Sequence, residues 1–129
     1  TLAANSGAFR FALEASVDWR FSKDSRAAIS HLWAGIESVF GISSELVYRI
    51  SLLSACLLTE RGSERQAKFM EVKRLYGLRS KAVHGVTLPE SKIENALKGS
   101  YALLRDLLIL SINRGHALRD EDFDGALFF

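Results

Sequence analysis

The chain is poor in the residues that interrupt or staple a fold. It has one proline and one cysteine among 129 residues. With nine glycines as well, that composition excludes collagen-like repeats and argues against a disordered chain. The lone Cys56 cannot close an internal disulfide, so the chain is not a stapled scaffold. A reducing compartment, and hence a cytoplasmic location, is the expectation. The three histidines are scattered, and with one cysteine they do not make a closed zinc site. No Gly-rich phosphate loop, nucleophile elbow or metal-ligand spacing is present, and no cofactor is expected. No apolar run approaches the roughly 18 residues that would cross a bilayer. The best candidate, Leu103 to Ile112, is broken by Arg105, Asp106 and Ser111. Neither a signal peptide nor a membrane partner is expected. The chain starts at Thr1 and not at Met, so a longer parent protein with further domains is expected.

What remains is an ordinary globular balance of 48% apolar and 25% charged residues. The length is near the commonest domain size, enough to bury roughly two-thirds of the unfolded surface without a metal. Charge is unevenly spread. The chain as a whole carries +2. Arg61 to Lys81 holds seven basic residues against Glu64 and Glu71, a net of +5. Ala117 to Phe129 holds one arginine against Asp120, Glu121, Asp122 and Asp124, a net of −3. A locally basic stretch can be a polyanion footprint even on a nearly neutral chain.

Apolar spacing is helical almost throughout, and no segment alternates with period two. The expected fold is all-α, a bundle of about five helices with short connections. The first helix is expected over about Gly7 to Arg20, with Phe9, Leu13, Val17 and Phe21 on its apolar stripe. The second starts at Asp24 or Ser25, carries Ile29, Leu32, Trp33, Ile36, Val39 and Phe40, and stops at Gly41. The third follows Ser43 or Ser44 and ends at Arg61-Gly62. Ser63 and Gln66 read as a capping box for the fourth, which runs to His84 with Gly85 as its stop and Gly77 as a candidate kink. Thr87-Leu88-Pro89-Glu90 reads as the start of the fifth, which ends at Gly115. Its second half, Leu103 to Ile112, is apolar on most sides, so it is either central or packed on a partner chain. Residues 1–129 are read as one domain: an N-terminal helix in 1–24, a core bundle in 25–114 and an acidic, then aromatic tail in 115–129. The apolar end of that tail is expected to dock on the bundle. Its acids are candidates to fold over the basic stretch.

Arg79-Ser80-Lys81-Ala82-Val83-His84 is the most informative stretch. Arginine offers a permanent cation with a planar fork of donors that matches phosphate oxygens. Histidine can pass a proton in either direction near neutral pH. Cleaving RNA without a metal needs both services: proton transfer at the 2′-hydroxyl or the leaving 5′-oxygen, and stabilisation of charge at phosphorus. On one regular helix, five residues place Arg79 and His84 about 140° apart and about 7.5 Å along the axis. Either the helix ends near His84, or two copies of the motif converge from two subunits. On spacing alone, an arginine in an ion pair with a neighbouring helix and a histidine at a helix C-terminus are the favoured explanation of the pair.

The wider segment Leu75-Tyr76-Gly77-Leu78-Arg79-Ser80-Lys81-Ala82-Val83-His84-Gly85 resembles the signature of HEPN domains, specifically the Apea-like HEPN family. Leu32-Trp33-Ala34-Gly35-Ile36-Glu37-Ser38-Val39-Phe40 resembles that family's second landmark, an apolar helix bearing one glutamate. The resemblance covers about Arg26 to Ile112. It implies a helical bundle that forms a homodimer and places two Arg-x4-His motifs in one cleft. Many such proteins are metal-independent ribonucleases in phage-defence or toxin–antitoxin systems, so RNA and an antitoxin-like regulator are the implied partners. By the same resemblance, Arg79 stabilises phosphate charge and His84 is the general acid/base. HEPN ribonucleases often carry Asn, Asp or His directly after the arginine; this chain has Ser80. The alternative is a non-catalytic HEPN module that dimerises and regulates an attached effector.

Around the motif, Glu37 is expected to orient Arg79 or Lys81, and Lys73, Arg74 and Lys81 to draw in an RNA backbone. Tyr76 is expected in the core or lining the cleft against a base. Trp33 is expected in the core, Cys56 as an inert buried thiol, and His31 and His116 as surface residues without partners.

Overall fold

The computed structural model describes residues 2–129. Among them are seven α-helices and one 3-10 turn, with no strand: α1 (Leu2–Asn5), α2 (Gly7–Asp18), the turn Trp19–Phe21, α3 (Ser25–Phe40), α4 (Leu46–Leu58), α5 (Ser63–Val83), α6 (Glu90–Arg114) and α7 (Asp120–Phe128). The fold is an all-α bundle, with seven helices where the apolar periodicity suggested about five. The two additions are the four-residue α1 and α7, which forms from the segment read as a tail. Among the described residues no helix is long and apolar enough to cross a membrane.

Local chemistry accounts for most of the boundaries. Asp24 Oδ1 accepts from the Ala27 backbone N–H at 2.8 Å and starts α3. Gly41 and Gly115 end α3 and α6 in the left-handed conformation, at φ +63° and +79°, where a Cβ would be strained. Two starts differ from the expected caps. Ser63 is the first residue of α5 and caps nothing; Gly62, at φ +113°, takes the cap position. Helix α6 begins at Glu90 after Pro89, not at Thr87. A proline disfavours helical backbone in the residue before it, which keeps Leu88 out of the helix. Helix α4 stops at Leu58, short of Arg61-Gly62. Gly77 does not interrupt α5.

Helix α3 is the centre of the bundle. Ile29, Leu32, Trp33 and Ile36 are fully buried, and the helix packs on α2, α5 and α6. Each such side chain removed from water contributes about 1.5–3 kcal/mol. Helix α2 runs antiparallel to α3: Ser38 Oγ donates to the Ala8 carbonyl at 3.2 Å, while Phe11 and His31 meet at 6.5 Å further along. The expected apolar stripe of α2 is corrected. Phe9, Ala12 and Ala15 face the core, and Leu13, Val17 and Phe21 stand exposed. The small residues win because α2 approaches α3 at Gly35, where an added Cβ would lie 2.8 Å from Ala15 Cβ. Larger side chains cannot enter that contact.

Helices α3 and α6 run parallel. Trp33 Nε1 donates to Ser100 Oγ at 3.0 Å, and Gly35 faces Leu104. Helix α5 runs antiparallel to both, because Trp33 meets Tyr76 while Ser25 and Arg26 at the start of α3 lie beside Ala82 and Gly85 at the end of α5. Helix α6 buries Leu103, Leu104, Leu107 and Leu108 but leaves Ile109 and Ile112 exposed. It is therefore a flanking helix: of the two alternatives expected for it, the central place belongs to α3, and packing on a partner chain is left as the other.

The segment after Gly115 is also corrected. Helix α7 packs on α4, not over the basic stretch of α5. Phe123 is buried against Phe40, with ring centroids 5.7 Å apart, whereas Phe128 and Phe129 at the chain's end are exposed.

Candidate active site

The motif sits at the C-terminal end of α5. The His84 N–H still donates to the Ser80 carbonyl at 3.0 Å. The chain then turns at Gly85, φ +82°, and the Val86 N–H returns to the Lys81 carbonyl at 2.9 Å. This is a glycine-terminated helix end of the Schellman kind. The turn comes one residue too late to redirect His84. Arg79 and His84 both stay on the helical course and emerge about 140° apart around it.

Arg79 is held by a relay that starts in the core. Trp33 is fully buried and anchored by its bond to Ser100. Its ring meets half-buried Tyr76 edge-on, at 5.3 Å and 85°. Tyr76 in turn offers its face to Arg79, whose Cζ lies 5.5 Å from the ring centroid. A cation over an aromatic face gains about 0.5–2 kcal/mol, more as it is desolvated. Arg79 is half-buried, its Nε is buried with no hydrogen-bond partner, and among the described residues it forms no ion pair. A permanent charge partly withdrawn from water with no counter-ion is unfavourable until an anion arrives.

Glu37 does not supply that counter-ion. No ion pair joins it to Arg79 or Lys81, and its Oε1 is itself buried without a partner. The antiparallel packing of α3 and α5 explains this. Glu37 lies one turn beyond Trp33 and Arg79 one turn beyond Tyr76, so they diverge from the Trp33–Tyr76 contact by about 10 Å in total. An apolar helix with one acid is visible in sequence; its direction relative to α5 is not.

His84 is exposed, and its ring has no hydrogen-bond partner among the described residues. Ser80 is half-buried. The basic stretch divides by role. Arg65 caps the end of α4, its Nη2 donating to the carbonyls of Cys56 at 3.2 Å and Thr59 at 2.6 Å. Lys68 pairs with Glu71 at 3.8 Å. Lys73, Arg74 and Lys81 are exposed and form no ion pair among the described residues. Arg74 and Lys81 share one side of α5 with Gly77, and line a groove completed by Lys92 and Asn95 of α6. Lys73 does not line that groove. Lys92 and Asn95 escaped sequence reading. Their spacing of three puts them on one helix face, but only the α5–α6 hairpin brings that face to Lys81.

The remaining ionic cluster lies at the α6–α7 junction. Arg114 Nη1 meets Asp122 Oδ1 at 2.6 Å, the Arg119 backbone N–H donates to Asp122 Oδ2 at 3.0 Å, and His116 Nδ1 is 3.6 Å from Oδ2. His116, expected to lack a partner, therefore has one. Burial raises the Asp122 carboxyl, but the Arg114 bond, the Arg119 amide and the nearby charges of Arg114 and His116 together bring it below its ordinary value. Cys56 is only half-buried. Comparison of the chain with protein-family models, curated proteins and solved structures finds no match.

Proposed function

We propose that this chain is a metal-independent endoribonuclease of the HEPN type, active as a homodimer whose two Arg79–His84 motifs share one cleft. The observation that carries the reading is Arg79: a guanidinium pinned by Tyr76, partly desolvated and without a counter-ion among the described residues. A phosphodiester supplies that counter-ion. His84 stands free in solvent, available to a substrate held mainly by other groups. The angular separation of the two residues on one helix favours a cleft built from two copies over one built within a chain.

In that cleft the ribose 2′-oxygen attacks the adjacent phosphorus and the bond to the 5′-oxygen breaks. One copy of His84 takes the 2′-hydroxyl proton and the other gives a proton to the leaving oxygen. Arg79 holds the charge that develops on the non-bridging oxygens. The products are a 2′,3′-cyclic phosphate and a free 5′-hydroxyl. Lys73, Arg74 and Lys81 draw in the backbone, and binding weakens as salt rises.

The test is end-labelled RNA incubated with the protein in a chelator. Cleavage with cyclic-phosphate ends is expected, and Arg79→Ala and His84→Ala, checked for folding by circular dichroism, each lower the rate by about 10²–10⁴-fold. A folded dimer that leaves RNA intact, or variants that cleave as fast as the parent, overturns the reading. The first outcome favours the non-catalytic dimerisation module, a role consistent with Ser80 and with a His84 ring that nothing orients.

A further inference from the structure

Helix α7 divides its acids by role. Asp122 turns to Arg114, and Glu121 pairs with Arg119 at 2.7 Å. Asp120 and Asp124 form no ion pair among the described residues, and both line a cavity between α7, α4 and the end of α3. With Phe123 and Leu127 they follow the i, i+3, i+4, i+7 spacing of one helix face. Helix α4 lines the other side with Arg49, Leu52 and Leu53. Arg49 also forms no ion pair among the described residues.

The cavity has a volume of about 460 Å³, within the range of small-molecule sites. Its floor is apolar: Phe40, Leu53 and Phe123 are buried, and the two rings lie 5.7 Å apart. Its rim is charged, with Arg49, Asp120 and Asp124 all exposed. Two carboxylates one helical turn apart repel each other, and Arg49, unpaired, neutralises neither. The negative pole of α3, which ends at Phe40 and Gly41, opens into the same space and adds to its attraction for a cation. Charges of both signs therefore face one concavity without meeting. A simple anion or cation satisfies one side of it. A ligand with both charges and an apolar body satisfies both sides and the floor.

We propose that this cavity binds a free α-amino acid with a large apolar side chain. Its carboxylate lies on the Arg49 fork, its ammonium between Asp120 and Asp124, and its side chain over Phe40, Leu53 and Phe123. The site does not depend on the nuclease reading. The Arg79–His84 motif ends beside Ser25 and Arg26 at the start of α3, whereas the cavity lies at the other end of that helix, about 22 Å along it.

Calorimetric titration of the full chain with L-phenylalanine tests this, alongside phenethylamine, which lacks the carboxylate, and hydrocinnamate, which lacks the ammonium. Saturable binding of one L-phenylalanine per chain is expected, with each analogue weaker by about 10-fold or more. Arg49→Gln weakens L-phenylalanine and hydrocinnamate by about 10-fold and does not weaken phenethylamine. Asp124→Asn weakens L-phenylalanine and phenethylamine and does not weaken hydrocinnamate. Glu121→Gln, on α7 but outside the cavity, leaves all three unchanged. Thermal denaturation shows each variant folded. Absence of saturable binding by the parent chain overturns the proposal. So does L-phenylalanine binding that either Arg49→Gln or Asp124→Asn leaves unchanged. Phenethylamine that binds as tightly as L-phenylalanine makes this a cation site and refutes the amino-acid assignment. RNA cleavage, read with the Arg79 and His84 variants, decides the nuclease reading separately.

Discussion

Gly35→Ala tests the packing that positions the whole site. The new Cβ would lie 2.8 Å from Ala15 Cβ, 3.1 Å from Leu104 Cδ2 and 3.6 Å from Ala12 Cα. Carbon atoms in contact prefer about 3.5–4.0 Å, so α2 and α3 must separate by about 1 Å at their crossing. Two of the three neighbours are backbone or fixed directly to it and cannot rotate away. Overpacking of this kind costs about 1–3 kcal/mol, and the rigid neighbours put it near the upper end. Alanine returns about 1 kcal/mol in helix propensity. The net is a loss of about 1–2 kcal/mol, a fall in Tm of roughly 3–10 °C for a domain of this size. Gly77→Ala has the propensity gain without the clash and should raise Tm by about 2–5 °C. Removing the nearest atom, in the double variant Ala15→Gly/Gly35→Ala, should show favourable coupling of about 1 kcal/mol in a double-mutant cycle. Thermal and urea denaturation followed by circular dichroism reads all three. If Gly35→Ala is as stable as Gly77→Ala, or the cycle shows no coupling, α2 does not pack on α3 as described.

Three further outcomes follow from named contacts. Because the Asp122 carboxyl lies below its ordinary value, its ion pair stabilises the fold above about pH 4, the unfolded value, and that stability is lost as pH falls through the lower folded value. Asp122→Asn should therefore lose about 1 kcal/mol at neutral pH, an amount that allows for the partly exposed Arg114 partner, and match the parent in strong acid; a Tm difference constant across pH refutes the assignment. Tyr76→Phe keeps both ring contacts and should denature like the parent, whereas Tyr76→Leu should lose about 1 kcal/mol with the edge-on contact and the Arg79 stack; equal Tm values for the two variants would show that the stack contributes nothing. Leu104→Ala, at a fully buried position between α3 and α2, should cost about 2–5 kcal/mol in urea denaturation, and a loss under 1 kcal/mol would mean the site collapses or is not core.

Much of the architecture was already written in the order of residues. Helical periodicity, the Asp24 cap and the glycines at 41, 85 and 115 mark where α3, α5 and α6 stop or start, because capping and left-handed backbone depend on a few adjacent residues. The same holds for Trp33 as core, since a large ring on an apolar helix face has no favourable alternative. Tertiary packing decided the rest. Ala12 and Ala15 displaced Leu13 and Val17 from the core because Gly35 admits only small neighbours, and that match lies 20 or more residues away along the chain. Helix direction separated Glu37 from Arg79 and turned α7 toward α4, and brought Lys92 to face Arg74 and Lys81. Spacing along a chain encodes which face a residue occupies. Which element covers that face, and in which sense it runs, is set by the burial and charge of partners distant in sequence.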